Sequence, residues 1–427
     1  MKRFPIWALE RLDALAPGRI IAAAIVLRLV FGFVWVLFVN VPAENVPVDG
    51  ETWHSAGADG YIQIARTLLL SGEYAFEPGG DPVHNRPPVQ VMLLLVFGAW
   101  WPSYWFLVWI LGSALLSWLM LHRVRALSQE LQLSMRAERV ALLLVAFHPY
   151  LVFISKTTTF INIAALLLIS VAVAVLRLRR RPERYATQVG VLSGLGALTH
   201  GIFLLLPVIV MPYIARLPGI SRRERIAAML IPIVITGMIV APWTLRNMRS
   251  FDMFIPVVSG NGYHYWKGEA VYFGGDYPMA DVYQRATGEE FREMYYGAVD
   301  PRMDAVLWEE AKRDMLDRPW RIPQRLMIGS ATFFAPWDSS TVKAIVSAAL
   351  NVPLLVLMLL FLIRSIRERH FTREQFFLCL LLFYVVEAFA FFVAWGSYFT
   401  MLLPTALPLL VSLIMRQARH QHPVESR

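Results

Sequence analysis

The sequence predicts an all-α polytopic membrane protein with about ten transmembrane helices. Interfacial helices are expected in its first outer loop, and a larger outer loop of mixed character follows later. Three observations predict this. Hydrophobic residues make up 57% of the 427 and charged residues only 17%, where a soluble domain carries roughly 25% charge. Apolar runs long enough to span a bilayer recur along the chain. Arginine is concentrated in short clusters between those runs. This balance excludes a soluble enzyme, a disordered chain and a fibrous one. The net charge of +9 needs no nucleic-acid partner, because basic inner loops account for it. The single cysteine, Cys379, permits neither a disulfide framework nor a cysteine-based metal site.

The elements follow in order. After Lys2, Arg3, Arg11 and Arg19, an apolar run from about Ile20 to Asn40 is long enough to cross the hydrocarbon, about 30 Å thick. It is too long for a signal-peptide core and reads as an uncleaved first span. Clusters at Arg123 to Arg139, Arg177 to Arg184, Arg216 to Arg225, Arg364 to Arg373 and from Arg416 onward are assigned to the cytoplasm. Residues 41–88 hold seven acids, Glu44, Asp49, Glu51, Asp59, Glu73, Glu77 and Asp81, against Arg66 and Arg86. They are assigned outside, with residues 244–340, facing a bacterial periplasm. Spans are expected at about 103–121, 139–155, 160–176, 226–243, 341–363, 375–395 and 399–415. The apolar run 89–101 is too short to cross and fits an interfacial or re-entrant helix. Residues 189–215 are basic on both flanks, so two short helices should meet near Thr199-His200-Gly201. Both termini are then cytoplasmic. Residues 60–71 and 302–318 have helical apolar spacing and read as surface-docked helices.

Several residues carry candidate chemistry. Asp59 precedes the first surface helix. It suits a general base toward a hydroxyl or amine, and it equally suits a helix N-cap. Arg86, before Pro87-Pro88, can hold a phosphate bidentately or snorkel to headgroups. His84 could assist either role. Lys156, within Ser155-Lys156-Thr157-Thr158-Thr159, suits an anionic group or a Ser/Thr turn. His200 could face a cavity or be structural. Arg28 and Glu387 lie inside predicted spans and could pair. Arg246 and Arg249 fall at the outer surface. No P-loop, dinucleotide turn, HExxH or GxSxG is present.

Asp59-Gly-Tyr-Ile-Gln-Ile-Ala-Arg, Leu70-Ser-Gly-Glu-Tyr74 and Asn85-Arg-Pro-Pro88 together resemble the first outer loop of the GT-C superfamily of glycosyltransferases. The likeness is to the bacterial branch of aminoarabinose lipid A transferases and protein O-mannosyltransferases. His148-Pro149-Tyr150, Gly190 to His200, Ala241-Pro-Trp-Thr-Leu-Arg-Asn247, Ser259 to Gly268, Ala311 to Pro319 with Arg325, and Tyr398…Pro404…Pro408 match further motifs in order.

The resemblance implies a transferase that uses a polyprenyl-phosphate sugar donor. The acceptor would be a glycolipid such as lipid A, a polysaccharide or a protein. The catalytic acid maps to Asp59 and the carrier-phosphate residue to Arg86, with Lys156, His200 and Arg246 as helpers. His84, Tyr61, Trp266, Glu269 and Tyr398 become substrate-binding candidates. The implied organisation is a GT-C-like transmembrane catalytic module, 1–243, including the first outer loop 41–102. A periplasmic loop region, 244–340, and C-terminal helices with a cytoplasmic tail, 341–427, complete it. Membrane lipids are expected partners and nucleic acid is not. No cofactor is expected, and a divalent metal has no support in the sequence. The chain departs from the family at Thr159-Phe160-Ile161, which lacks the second-loop acid, and at His200, Ser397 and Glu269. If Asp59 only caps a helix, Glu44, Asp49, Glu51 or Glu269 could be the base. A transporter or flippase of a lipid-linked sugar is the alternative reading, and a non-catalytic scaffold a third.

Overall fold

The computed structural model describes residues 14–38, 60–101, 104–276, 278–291, 293–294, 298–335, 341–394 and 398–421. Apart from one two-stranded ribbon, the regular structure is helical. Among the described residues, five helices are long and apolar enough to cross a membrane: Pro17–Val36 within α1 (Pro17–Phe38), α4 (Trp105–Glu130), α11 (Arg222–Phe251), Ala344–Arg367 within α16 (Thr341–Arg367), and α17 (Arg373–Phe392). Shorter apolar helices fill the bundle between them.

The first surface helix is α2 (Tyr61–Ser71). Its N-cap position is Gly60, held left-handed at φ +71° with no side-chain cap. Asp59, Glu44, Asp49 and Glu51 lie outside the described residues. The run 89–101 is a short helix followed by a turn. Helix α3 (Pro88–Leu94) starts on Pro88, whose fixed φ suits a first helical position. The chain then turns out of helix at Phe97 and Gly98 before α4.

The expected span 139–155 is two pieces. Helix α5 (Met135–Ala146) stops before His148, and α6 (Pro149–Ile154) restarts on Pro149. Pro149 lacks an N–H and cannot continue the α5 hydrogen-bond ladder. Helix α7 (Ile161–Arg177) is buried along almost its whole length at the centre of the bundle.

Helix α8 (Pro182–Ala197) packs closely along α11. A Cβ at Gly190 or Gly194 would press on Ile235 and Ile239 of α11, so glycine allows the close approach. Thr236 Oγ1 donates to the Gly190 carbonyl at 3.1 Å across that contact. The chain breaks at Thr199-His200 as expected. It continues through a 3-10 turn, Gly201–Leu205, into α9 (Leu206–Ile209) and α10 (Met211–Ala215).

The segment after α11 folds as a small cluster of its own. It comprises α12 (Asn261–Phe273), α13 (Met279–Thr287), the ribbon of β1 (Glu293–Met294) and β2 (Ala298–Val299), and α14 (Pro301–Asp317). Tyr263, Tyr265, Trp266, Val282 and Leu307 form its core. Helix α14 matches the expected helix at 302–318. Helix α15 (Arg321–Phe334) then lays an apolar face on α17, and α18 (Phe399–Gln421) closes the bundle against α7 and α5.

Candidate functional site

The Pro87-Pro88 step is the hub of the site. Pro88 starts α3, and the next amide, Val89 N–H, donates to the Leu198 carbonyl at 3.0 Å. That bond fastens the first loop to the end of α8, two residues before His200. Gln90 Nε2 donates to the Thr158 carbonyl at 2.7 Å, which fastens α3 to the Ser155–Thr159 turn. Trp109 Nε1 holds the Thr157 carbonyl at 3.0 Å and Asn162 Nδ2 holds that of Ile154 at 3.1 Å. Three chain-distant turns therefore meet at one place.

Arg86 stands at the edge of this hub. It is half-buried, its guanidinium lies 5.7 Å from the Tyr61 ring centroid, and Tyr74 Oη donates to its carbonyl at 2.9 Å. Tyr61 is buried and forms the floor beneath it. His200 stacks on Phe160 at 4.8 Å and packs near Phe389 (5.1 Å) and Tyr398 (6.2 Å). Its Nδ1 accepts from Ile202 N–H at 3.4 Å. Tyr398 in turn lies 4.3 Å from Phe389. Arg86 with Tyr61, and His200 with Tyr398, each adjoin this hub.

Two residues outside the candidate set join them. His264 and Lys267 are one turn apart on α12 and flank its buried face of Tyr263, Trp266 and Ala270, with Lys267 Nζ 5.5 Å from the Tyr263 ring centroid. His264 is accessible to solvent yet surrounded by protein, as a side chain lining a deep recess is. Burial, with the nearby positive charges of Lys267 and Arg86, pushes its imidazole down to about 3. It is a neutral imidazole among cationic neighbours. The sequence signal was the helical spacing of 264 and 267 inside the Ser259–Gly268 motif.

The N-terminus of α12 is held by Asp304, which accepts from Gly260 N–H (2.7 Å) and Tyr263 N–H (2.9 Å). Burial raises the Asp304 carboxyl, while these amides pull it down. The far end of α12 is fixed by fully buried Arg325. That side chain donates to the carbonyls of Tyr265, Phe391 and Phe392 and to Glu269 Oε2 at 2.9 Å. Tyr272 Oη also accepts from Ala394 N–H at 2.6 Å. α12 is thereby locked to the end of α17.

The solved structure of the oligosaccharyltransferase AglB from Archaeoglobus fulgidus, in complex with an inhibitory peptide and a dolichol-phosphate, is similar to this chain. The TM-score is 0.54 and the identity 16%, over 96% of this chain and 51% of that one. The apo form of the Archaeoglobus fulgidus enzyme gives 0.52 and 15%, over 94% and 52%.

The chain has the GT-C fold.

ArnT from Cupriavidus metallidurans, bound to undecaprenyl phosphate, is a further similar structure at TM-score 0.41 and 16% identity, over 94% of this chain and 78% of that one. The chain spans about half the length of the archaeal enzyme it matches. No family model and no curated protein matches it.

Several candidate residues have other work within this GT-C fold. Arg246 donates to the carbonyls of Val83 (2.7 Å) and Tyr74 (3.3 Å) and to Asn247 Oδ1. It also lies 4.9 Å from the Trp243 ring. Its donors tie α11 to the first loop instead of waiting for a phosphate. Lys156 is buried, with its ammonium 3.0 Å from the Trp35 centroid and 4.2 Å from that of Phe153. It pins α1 to the turn by cation–π contact. His84 is buried and hydrogen-bonded to Ser259 Oγ at 2.8 Å.

Trp266 is a core residue whose Nε1 donates to the Leu307 carbonyl at 3.0 Å. Glu269 is enclosed by Arg325 (2.9 Å), Arg321 (3.5 Å) and Arg318 (3.7 Å), so it is a structural counter-charge and is not available as a base. The expected Arg28–Glu387 pair does not form. Arg28 donates to the carbonyls of Ala24 and Ala146, and Glu387 accepts from Ser330 Oγ at 3.1 Å. α1 faces α4 and α5, which puts Arg28 on another side of the bundle from α17. Among the described residues no group of three His, Cys, Asp or Glu could hold a metal ion.

Proposed function

We propose that the protein is a membrane-embedded glycosyltransferase. It moves a sugar from a polyprenyl-phosphate donor to an acceptor on the periplasmic side of a bacterial inner membrane. The observation that carries this reading is the recess at the lip of α3, in which the cations Arg86 and Lys267 stand beside the neutral imidazoles of His200 and His264. Its polar groups converge beside an aromatic wall of Phe160, Phe389 and Tyr398. Such a site offers positive charge for a phosphate and flat apolar faces for a sugar or an isoprenoid.

In this reading the acceptor hydroxyl or amine gives its proton to the Asp59 carboxylate. Its lone pair attacks the anomeric carbon, and the bond to the carrier phosphate breaks in the same step. The anomeric centre inverts. Arg86 and Lys267 take up the negative charge that grows on the departing phosphate. His264 stays neutral and can donate or accept a hydrogen bond without adding repulsion to the cations around it. Asp59 enters this scheme through its position next to Gly60 and Tyr61 in the chain.

The test is turnover by the purified protein in detergent with a radiolabelled polyprenyl-phosphate sugar. Arg86→Ala is expected to raise the donor KM at least tenfold, with Arg86→Lys between it and wild type. Asp59→Asn is expected to abolish turnover while donor binding persists. Movement of the intact donor across proteoliposomes without sugar release would overturn the proposal in favour of a flippase.

A further inference from the structure

A second cavity lies behind the aromatic wall of the recess. It has a volume of about 570 Å³ and is bounded by α15, α16, α17 and α18. That volume falls within the roughly 300–1,000 Å³ common for small-molecule sites. The cavity is long. One end is at Ser330 and Glu387, near the end of α17 that α12 grips. The other is at Ile366 and Phe376, near the opposite end of that helix. A small annex between α16 and α18 continues it past Leu354 and Leu410. α16 is the least buried of the five spanning-length helices, so the cavity opens sideways toward the surrounding lipid.

The lining is almost wholly apolar, and the exceptions are grouped. Glu387 projects into the cavity and accepts from Ser330 Oγ at 3.1 Å, with Ser330 also on the wall. A carboxyl group in a hydrocarbon-lined slot is costly, and intramembrane carboxylates usually face a partner or a functional cavity. The only hydrogen bond it receives from the described residues comes from Ser330. The cavity is also coupled to the recess. Phe389 and Phe333 stack at 6.0 Å, and Phe334 lies 5.0 Å from Phe399, which adjoins Tyr398. One layer of aromatic rings separates the two spaces.

We propose that this cavity binds the hydrocarbon chain of the acceptor, and that the acceptor is therefore a lipid, with one of its hydroxyl or amine groups hydrogen-bonded to Glu387. The inference rests on the glycosyltransferase reading. Charge complementarity selects the occupant. A phosphate-headed chain would meet repulsion from Glu387, and its phosphate has a basic recess elsewhere. A chain bearing a hydroxyl or an ammonium group gains a charge-assisted hydrogen bond there. The two spaces then divide the substrates, the phosphate carrier to the basic recess and the lipid acceptor to the carboxylate-lined slot.

The test uses the full-length protein in phospholipid nanodiscs and two photoreactive probes with the same diazirine-bearing chain. One ends in a primary alcohol and the other in a phosphate. Cross-linked peptides are read by mass spectrometry. The alcohol is expected to label the cavity wall around Phe383 and Leu402, and the phosphate at least fivefold less. Glu387→Leu should cut alcohol labelling at least fivefold, and Ala406→Trp, which fills the slot, should remove it. A conservative Ser330→Ala serves as a second variant should either fail to give a monodisperse protein, and it should lower alcohol labelling at least twofold. Equal labelling by both probes, or alcohol labelling indifferent to these variants, overturns the proposal. Arg86-dependent binding of polyprenyl phosphate, measured on the same preparations, reports on the glycosyltransferase reading separately.

Discussion

Asp304→Ala is expected to loosen the recess without touching it. Asp304 is buried and comes from α14, yet it caps α12 by accepting from Gly260 and Tyr263 at 2.7 and 2.9 Å. Loss of an N-cap costs about 0.5–2 kcal/mol, and a hydrogen bond to a charged group contributes about 1.5–3 kcal/mol. Two such bonds are lost. Part of their worth is already offset, because burial raises the carboxyl against the pull of the amides. The net cost should be about 2–3 kcal/mol. At about 1 °C per kcal/mol for a chain of 427 residues, the midpoint should fall by about 2–3 °C. Asp304→Asn retains one acceptor oxygen and should lose about half as much. The assay is thermal unfolding of the detergent-solubilised protein, with proteolysis of segment 250–320 as a local readout. Turnover should fall further than stability at permissive temperature, because the freed amides lie within one turn of His264. An Ala variant with an unchanged midpoint would refute the capping argument. So would an Asn variant as unstable as Ala.

Three other predictions follow. Glu269→Gln leaves Arg325 buried without its counter-charge and should destabilise by about 3–5 kcal/mol, seen as loss of monodisperse protein after purification. Gly268→Ala places a Cβ against the Phe392 carbonyl and should cost about 1–3 kcal/mol as overpacking, read as a lower unfolding midpoint. His264, held near 3 against an ordinary 6.5, binds fewer protons in the native state than when unfolded. Its contribution to stability is complete above 6.5 and declines as pH falls from there toward 3. His264→Gln should flatten that part of the pH–stability curve, and an unaltered curve would contradict the assigned neutral state.

The motifs around the first loop were readable because they are local. Arg86-Pro87-Pro88 announces a helix start with a cation before it, and Gly194 to His200 announces a break. Other candidates were assigned by residue type alone. Trp266 and Glu269 looked like ligand groups, but both are consumed inside α12's packing, by Leu307 and by three arginines. His264 and Lys267, on the opposite face of the same helix, are the ones that reach the recess. Periodicity separates two faces of a helix, but it does not say which face meets protein and which meets a cavity.

Hydropathy and charge by themselves determined the helical, membrane-embedded character, because spanning lengths and basic clusters are written residue by residue. They also determined where helices start and break, since proline and glycine act within one turn. Only the tertiary structure decided the fate of each buried charge. Whether Arg246 awaits a phosphate or clamps Val83 depends on which carbonyls the fold brings within 3 Å. Whether Arg28 and Glu387 pair depends on which sides of the bundle α1 and α17 occupy. Those are long-range distances, and no pattern along the chain encodes them.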